Sequence, residues 1–261
     1  MTLPPSPSPV LAGRRAVVSG GAAGIGEAVA ARLVGDGASV LVADVDAAAG
    51  RATARRLGAT FVEVDLSELD GVRAMMDAAV QQWGGIDILV NNAGGVTGPA
   101  YPVADADRWI RSLDLNLRGV LLSCQLALEA MPRGGAIINV ASVAGLGHGV
   151  HGVPEYAVAK AGVIRLTACL APLRDRLGIR VNCVCPDLVD TPASRRDRET
   201  MTPAARARTP PAIPATEIAD AVATLLTDDT LAGRVLVCQA KEPRRLLLPA
   251  DGWSDHVNRL G

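Results

Sequence analysis

The sequence predicts an α/β fold, a doubly wound parallel sheet of about seven strands with helices on both faces. Three observations predict it. Short apolar runs alternate with segments of helical periodicity, joined by brief links. A glycine-rich turn, Ser19-Gly20-Gly21-Ala22-Ala23-Gly24-Ile25-Gly26, separates the first strand from the first helix. Polar residues recur where strands end, at Asp44, Asp65, Asn92 and Ser142, the edge of a parallel sheet where ligands bind. At 261 residues the chain fits one such domain over 13–261, preceded by a proline-rich arm, 1–12, expected to be disordered.

Taken in order, Arg15-Ala16-Val17-Val18 reads as the first strand, and Glu27 to Val34 as a helix closed by Gly35 and Gly37. The intervening glycines suit a phosphate cradle at a helix N-terminus. They equally suit a tight turn with no ligand. The second strand, Ser39 to Ala43, ends at Asp44, about 24 residues past Gly20, where a dinucleotide-binding βαβ unit places an acid on the adenosine ribose. Such an acid repels a 2′-phosphate and so favours NAD over NADP. The other reading of Asp44 is a cap for a helix from Val45 to Leu57.

Phe61 to Val64 makes a third strand ending at Asp65, and Ile86 to Val90 a fourth ending in Asn91-Asn92-Ala93-Gly94-Gly95. One long helix is expected from Ala104 to Met131, with the polar Asn116 set among leucines, either as a site residue or simply bonded to backbone. Ala136 to Ala141 is the fifth strand and delivers Ser142. A helix from Pro154 to about Arg176 precedes the sixth strand, Ile179 to Cys185, which Pro186 stops. From Asp187 to Pro214 periodicity fails, and a mobile flap over the site is expected; its arginines, among them Arg195 and Arg196, either meet an anionic substrate or are solvated surface. Thr216 to Leu226 is a further helix and Arg234 to Cys238 a seventh strand. The tail from Gln239, with Trp253 and His256, has no clear pattern.

Composition excludes several functions. A formal net charge of −1 offers nucleic acid no basic field, and three Trp, two Tyr and one Phe leave little to stack bases on. No apolar run approaches the roughly 20 residues of a membrane helix, and the start lacks the features of a secretory signal. A soluble, cytoplasmic chain is expected. The five cysteines suit reduced core thiols; Cys183 and Cys185 alternate on a strand and so face one side. With three histidines and no second cysteine pair, no metal site is expected.

The chemistry concentrates between Ser142 and Lys160. Tyr156 and Lys160 lie four apart and share a helix face. Bringing a phenol from pKa about 10 to about 7 requires about 4 kcal/mol of preferential support for the phenolate. A partly buried cation supplies much of that. The pair is then a general acid/base. Alone, Tyr-x-x-x-Lys also describes a packed tyrosine beside a solvated lysine.

In combination, the Ser19–Gly26 loop, Asp65, Asn91-Asn92-Ala93-Gly94, Asn116, Ser142 and Tyr156 with Lys160, in this order, strongly resemble the single-domain short-chain dehydrogenase/reductase family over about residues 13–240. The resemblance implies a Rossmann-like fold and an oxidoreductase interconverting a secondary alcohol and a ketone, with NAD ahead of NADP as cofactor. Tyr156 would exchange the proton, Lys160 hold the nicotinamide ribose and lower the tyrosine pKa, Ser142 bond the substrate oxygen, and Asn116 hold a relay water. Gly20, Ala23, Ile25, Asp44, Asp65, Asn92, Val189 and Thr191 would line the cofactor. A homo-oligomer is also implied. The alternatives are an NADP-dependent ketoreductase and a non-catalytic dinucleotide sensor. Three departures stand out: Ser19 replaces a usual threonine, Asp187 follows Pro186 where glycine is usual, and the tail carries Lys241, Arg244, Arg245 and Leu246-Leu247-Leu248 in place of Asp-Gly-Gly. His148 and His151 stand in the loop before Tyr156, where they either touch substrate or are exposed.

Overall fold

The structure is a computed structural model and describes residues 10–96, 100–131, 134–147 and 151–247. Its strands are β1 (Arg15–Ser19), β2 (Ser39–Asp44), β3 (Thr60–Glu63), β4 (Ile88–Asn91), β5 (Ala136–Val140), β6 (Arg180–Pro186), β7 (Val189–Asp190), β8 (Ile213–Pro214), β9 (Val235–Cys238) and β10 (Arg245–Leu246). Eight of them form one sheet in the order β10-β9-β6-β5-β4-β1-β2-β3, and β7 pairs with β8 separately. All pairings in the large sheet are parallel except β10 against β9. The eighth strand comes from the tail that showed no pattern, because two residues are too few for periodicity to register.

The helices are α1 (Gly24–Gly35), α2 (Ala47–Leu57), α3 (Leu69–Trp83), α4 (Ala106–Leu113), α5 (Gly119–Ala130), α6 (Pro154–Cys169), α7 (Leu173–Leu177), α8 (Pro192–Thr200), α9 (Pro203–Arg208) and α10 (Ala215–Thr227). They cover both faces. On one, Val29, Leu33, Ile218 and Leu225 pack on Val18, Val42, Ile138 and Val184. On the other, Met75, Cys124 and Val163 pack on Leu41, Leu89, Ile137 and Val181. Adjacent residues such as Ile137 and Ile138 thus serve opposite cores, which is why these strands read as continuous apolar runs. Each large aliphatic side chain buried this way contributes about 1.5–3 kcal/mol.

Four expectations are corrected. The helix expected over Ala104–Met131 is two helices joined by a π segment, Asp114–Arg118. The widened turn sets Asn116 to reach both Ser112 and Gly95, and single π turns often mark functional sites. The helix expected to about Arg176 ends at Cys169, and a short separate helix follows. The segment 187–214 is not patternless: it holds β7, α8, α9 and β8, with Thr191 and Ser194 forming a capping box at α8. The arm packs sooner than expected, since Leu11 is buried and its N–H donates to the Asp36 carbonyl at 2.8 Å. Residues 1–9, His148, Trp253 and His256 lie outside the described residues. No helix among the described residues is long and apolar enough to cross a membrane.

Candidate active site

The sheet order reverses at β1, whose neighbours are β2 and β4. Chains leaving β1 and β4 therefore run to opposite faces, opening a crevice at the carboxyl ends of the strands. A cleft of about 1350 Å³ occupies it. That exceeds the roughly 300–1,000 Å³ of a pocket for one small ligand, so it has room for a dinucleotide and a substrate together.

One end of the cleft is floored by Gly20, Ala23, Gly24 and Ile25. Gly20 takes φ +63°, and a Cβ there would lie 2.8 Å from Ala93 Cα; a Cβ on Gly26 would lie 2.0 Å from the Gly20 carbonyl oxygen. Only bare backbone closes this turn. The first residue of α1 follows immediately, and Ala23, its N-cap, offers no capping side chain. The first N–H groups of α1 have no side-chain cap, and Gly24 and Ile25 line the cleft, a fit for phosphate oxygens. Ser19 Oγ accepts from the N–H groups of Asn92 and Ala93, both at 3.0 Å, and Asn92 Nδ2 donates to the carbonyls of Ser19 (3.0 Å) and Gly20 (2.9 Å). Asn92 thus braces the glycine loop while lining the cleft.

Asp44 ends β2 at the cleft wall. Asp46, not Asp44, caps α2, accepting from Ala48 and Ala49 N–H at 3.1 and 3.0 Å. Asp44 instead accepts from Ala22 N–H and Asp46 N–H, each at 3.0 Å, so its carboxylate is held at the cleft with lone pairs remaining on each oxygen. The cleft also meets Asp65, which accepts from Ser67 and from Arg111 at 2.7 Å. Burial alone would raise the Asp65 pKa, but Ser67 and Arg111 more than offset it and hold the carboxyl below its usual range. Arg111, reaching over from α4, was not singled out from sequence; its partner is 46 positions away, and no local signal marks it.

The other end carries the reacting groups. Ser142 follows β5, and its Oγ accepts from Ala144 N–H at 3.1 Å. Tyr156 and Lys160 project from α6, which Pro154 opens as expected. Gly145 lets the two segments touch: a Cβ there would lie 2.6 Å from Lys160 backbone. Lys160 is 3% exposed, and its Nζ donates to the Val140 carbonyl at 3.0 Å and lies 5.6 Å from the centre of the Tyr156 ring. Burial pulls its pKa down to about 8. Burial likewise pushes the Tyr156 phenol up, and the Ser142 hydroxyl pulls it back only in part. The expected lowering of the phenol by the ammonium is thus not seen here, because the amine lies by the ring and bonds Val140 while desolvation penalises both charged forms.

Asn116 is fully buried in the π segment and does not line the cleft. Its Oδ1 accepts from Gly95 N–H at 3.0 Å, and its Nδ2 donates to Gly95 O (2.9 Å) and Ser112 O (3.0 Å). All its side-chain protons and an acceptor are spent on shaping the Gly94-Gly95 turn beside Lys160. Val189 and Thr191 do line the cleft, as does His151, whose ring lies 6.0 Å from that of Tyr156.

The family described as short chain dehydrogenase matches residues 14–202, more than half of the chain. The chain belongs to the short-chain dehydrogenase family. It is accordingly an NAD(P)-dependent dehydrogenase/reductase acting on CH–OH donors. Among relatives, the "Probable galactose dehydrogenase GalD" of Rhizobium meliloti is 36% identical over 204 residues, covering 75% of this chain and 79% of that protein. The 3beta-hydroxysteroid dehydrogenase 2 of Eggerthella lenta is 40% identical over 194 residues, covering 70% and 74%. A short chain dehydrogenase from Burkholderia cenocepacia, solved in complex with NADP, superimposes with a TM-score of 0.78 at 29% identity, covering 88% of this chain and 97% of that one.

Proposed function

We propose that this short-chain dehydrogenase interconverts a secondary alcohol and its ketone, with NAD as the preferred dinucleotide and Tyr156 as general acid/base. The observation that carries the reading is the meeting of Ser142, Tyr156 and Lys160 in one cleft whose far end holds the bare glycine floor and Asp44. The Ser142 hydroxyl orients the substrate oxygen beside the phenol. Tyr156 takes the alcohol proton, or returns it to the ketone. Lys160 has two N–H groups beyond the one spent on Val140, suited to ribose hydroxyls. Asn116 holds the Gly94-Gly95 turn against them. The nicotinamide, when bound, supplies the hydride acceptor or donor.

Gly20, Ala23 and Ile25 would hold the phosphates, Asp44 the adenosine ribose, Asp65 and Asn92 the adenosine side, and Val189 and Thr191 the nicotinamide side. The relative bound to NADP favours a second reading, an NADP enzyme. Against it stand Asp44 and Asp46 together at the ribose end, while the nearby Arg51 is engaged with Glu63 at 3.6 Å and lies over the Phe61 ring. We also infer a homo-oligomer; exposed Ile110, Leu121 and Val158 on α4, α5 and α6 support it.

The test is a panel of alcohols and ketones followed by nicotinamide absorbance with NAD and NADP, and Tyr156→Phe as control. Tyr156→Phe is expected to lower kcat by roughly 10²–10⁴-fold while dinucleotide affinity holds. Undiminished turnover would remove the tyrosine from its role.

A further inference from the structure

Asp187 lines the same cleft as Ser142, Tyr156 and Lys160, and the proposed chemistry does not use it. Its placement follows from strand register. β5 and β6 pair Val140 with Val184, and Ala141 N–H continues the ladder to the Val184 carbonyl at 2.9 Å. Ser142 therefore lies opposite Pro186, and Asp187 is one residue beyond, on the wall of the same cleft. The backbone there is fixed from the far side, since Asp187 N–H donates to the Cys238 carbonyl at 2.9 Å. Its Oδ1 accepts from Leu188 N–H at 2.8 Å, which pins the carboxylate. Its Oδ2 has no hydrogen-bond or ion-pair partner among the described residues. The first arginine of the segment in sequence is committed elsewhere, Arg195 making two bonds to Asp190 at 2.7 and 2.8 Å. Among the described residues the arginines and lysines that line the cleft are Arg111, paired with Asp65, Arg196, which is exposed, and the buried Lys160, bonded to Val140.

An unpaired, pinned anion beside the reacting end has one direct consequence for a ligand whose charge changes there. The reaction is alcohol plus NAD⁺ giving ketone plus NADH plus a proton: the hydride carries its electron pair to the nicotinamide ring, and the proton passes to Tyr156. The ring is cationic before hydride arrives and neutral afterwards. We propose that Asp187 makes the cleft discriminate between the two forms of the cofactor, holding the oxidised, cationic nicotinamide more tightly than the reduced one. The bound couple is thereby shifted toward the oxidised form, so that ketone reduction is favoured on this enzyme relative to one with glycine at this position. The inference rests on the proposed reading of the cleft as the nicotinamide site. Because the carboxylate is partly exposed and screened, an effect of about tenfold on the affinity ratio is expected.

Dissociation constants for NAD⁺ and NADH, measured by calorimetry on the full chain without substrate, test it in the wild type, Asp187→Asn and Asp187→Gly. Asparagine keeps an acceptor for Leu188 N–H and removes only the charge; glycine removes the side chain. In both variants NAD⁺ affinity should fall by about tenfold relative to NADH affinity, and the wild-type preference should shrink as salt is raised. An unchanged ratio with both nucleotides still bound overturns the inference and leaves the proposed function standing. A wild type that binds neither nucleotide removes the proposed function, and the inference with it.

Discussion

Lys160→Met should make the folded protein more stable at neutral pH while it removes a group the proposed reaction needs. Lys160 is 3% exposed and burial holds its pKa near 8, against 10.5 in its ordinary setting. The gap, 10.5 − 8, corresponds to about 3 kcal/mol at 1.36 kcal/mol per pH unit. Methionine keeps the length of the stem but leaves the Val140 carbonyl without its donor, costing about 1 kcal/mol. The variant is therefore expected to be about 2 kcal/mol more stable at pH 7. Its advantage has a definite pH dependence. A lysine whose folded pKa is depressed is protonated in both states below pH 8; between pH 8 and 10.5 the unfolded chain still binds the proton that the folded one has lost, so folding gains stability as pH rises. From pH 7 to 9.5 wild type should recover about 2 kcal/mol from this group, nearly closing the gap. Cys124, pushed up to about 12, and Cys238, pushed up to about 11, titrate in the opposite sense but equally in both proteins. The Cys185 thiol, raised by its Cys183 hydrogen bond and by burial against the Lys160 charge, is raised further when that charge is removed and so stays protonated in both. Urea denaturation of both proteins at pH 7 and 9.5 therefore isolates the lysine. A variant less stable at pH 7, or a margin that does not narrow at pH 9.5, refutes the reasoning.

Replacing Asp44 by Asn and the adjacent Val45, 66% exposed, by Arg should raise NADP affinity relative to NAD by about tenfold, read from the two dissociation constants; no change would remove Asp44 from cofactor choice. Asn139, fully buried, accepts from Asn91 at 2.9 Å and donates to Thr167 at 3.0 Å, tying β4, β5 and α6 together. Asn139→Ala should cost about 2–4 kcal/mol in denaturant unfolding and lower kcat by loosening the helix that carries Tyr156; a cost below about 1 kcal/mol would show the network to be dispensable.

Much of this protein was legible in the chain because the signals are local. The alternation of apolar runs and helical segments sets the βα order, and in a parallel sheet that order alone brings Gly20, Asp44, Asn92 and Ser142 to one edge. The four-residue spacing of Tyr156 and Lys160 likewise survives any packing, since it depends only on a helix forming after Pro154. Tertiary structure decided the rest, because it depends on neighbours far away in sequence. Asp44 was left free for the cleft when Asp46 took the cap. The π segment and the occupation of Asn116 follow from Gly95 lying within reach. The pairing of Arg111 with Asp65, the approach of Gly145 to α6, and above all the burial of Lys160, which turns a nominally ordinary ammonium into one with a pKa near 8, are long-range desolvation and contact effects that no window of sequence contains.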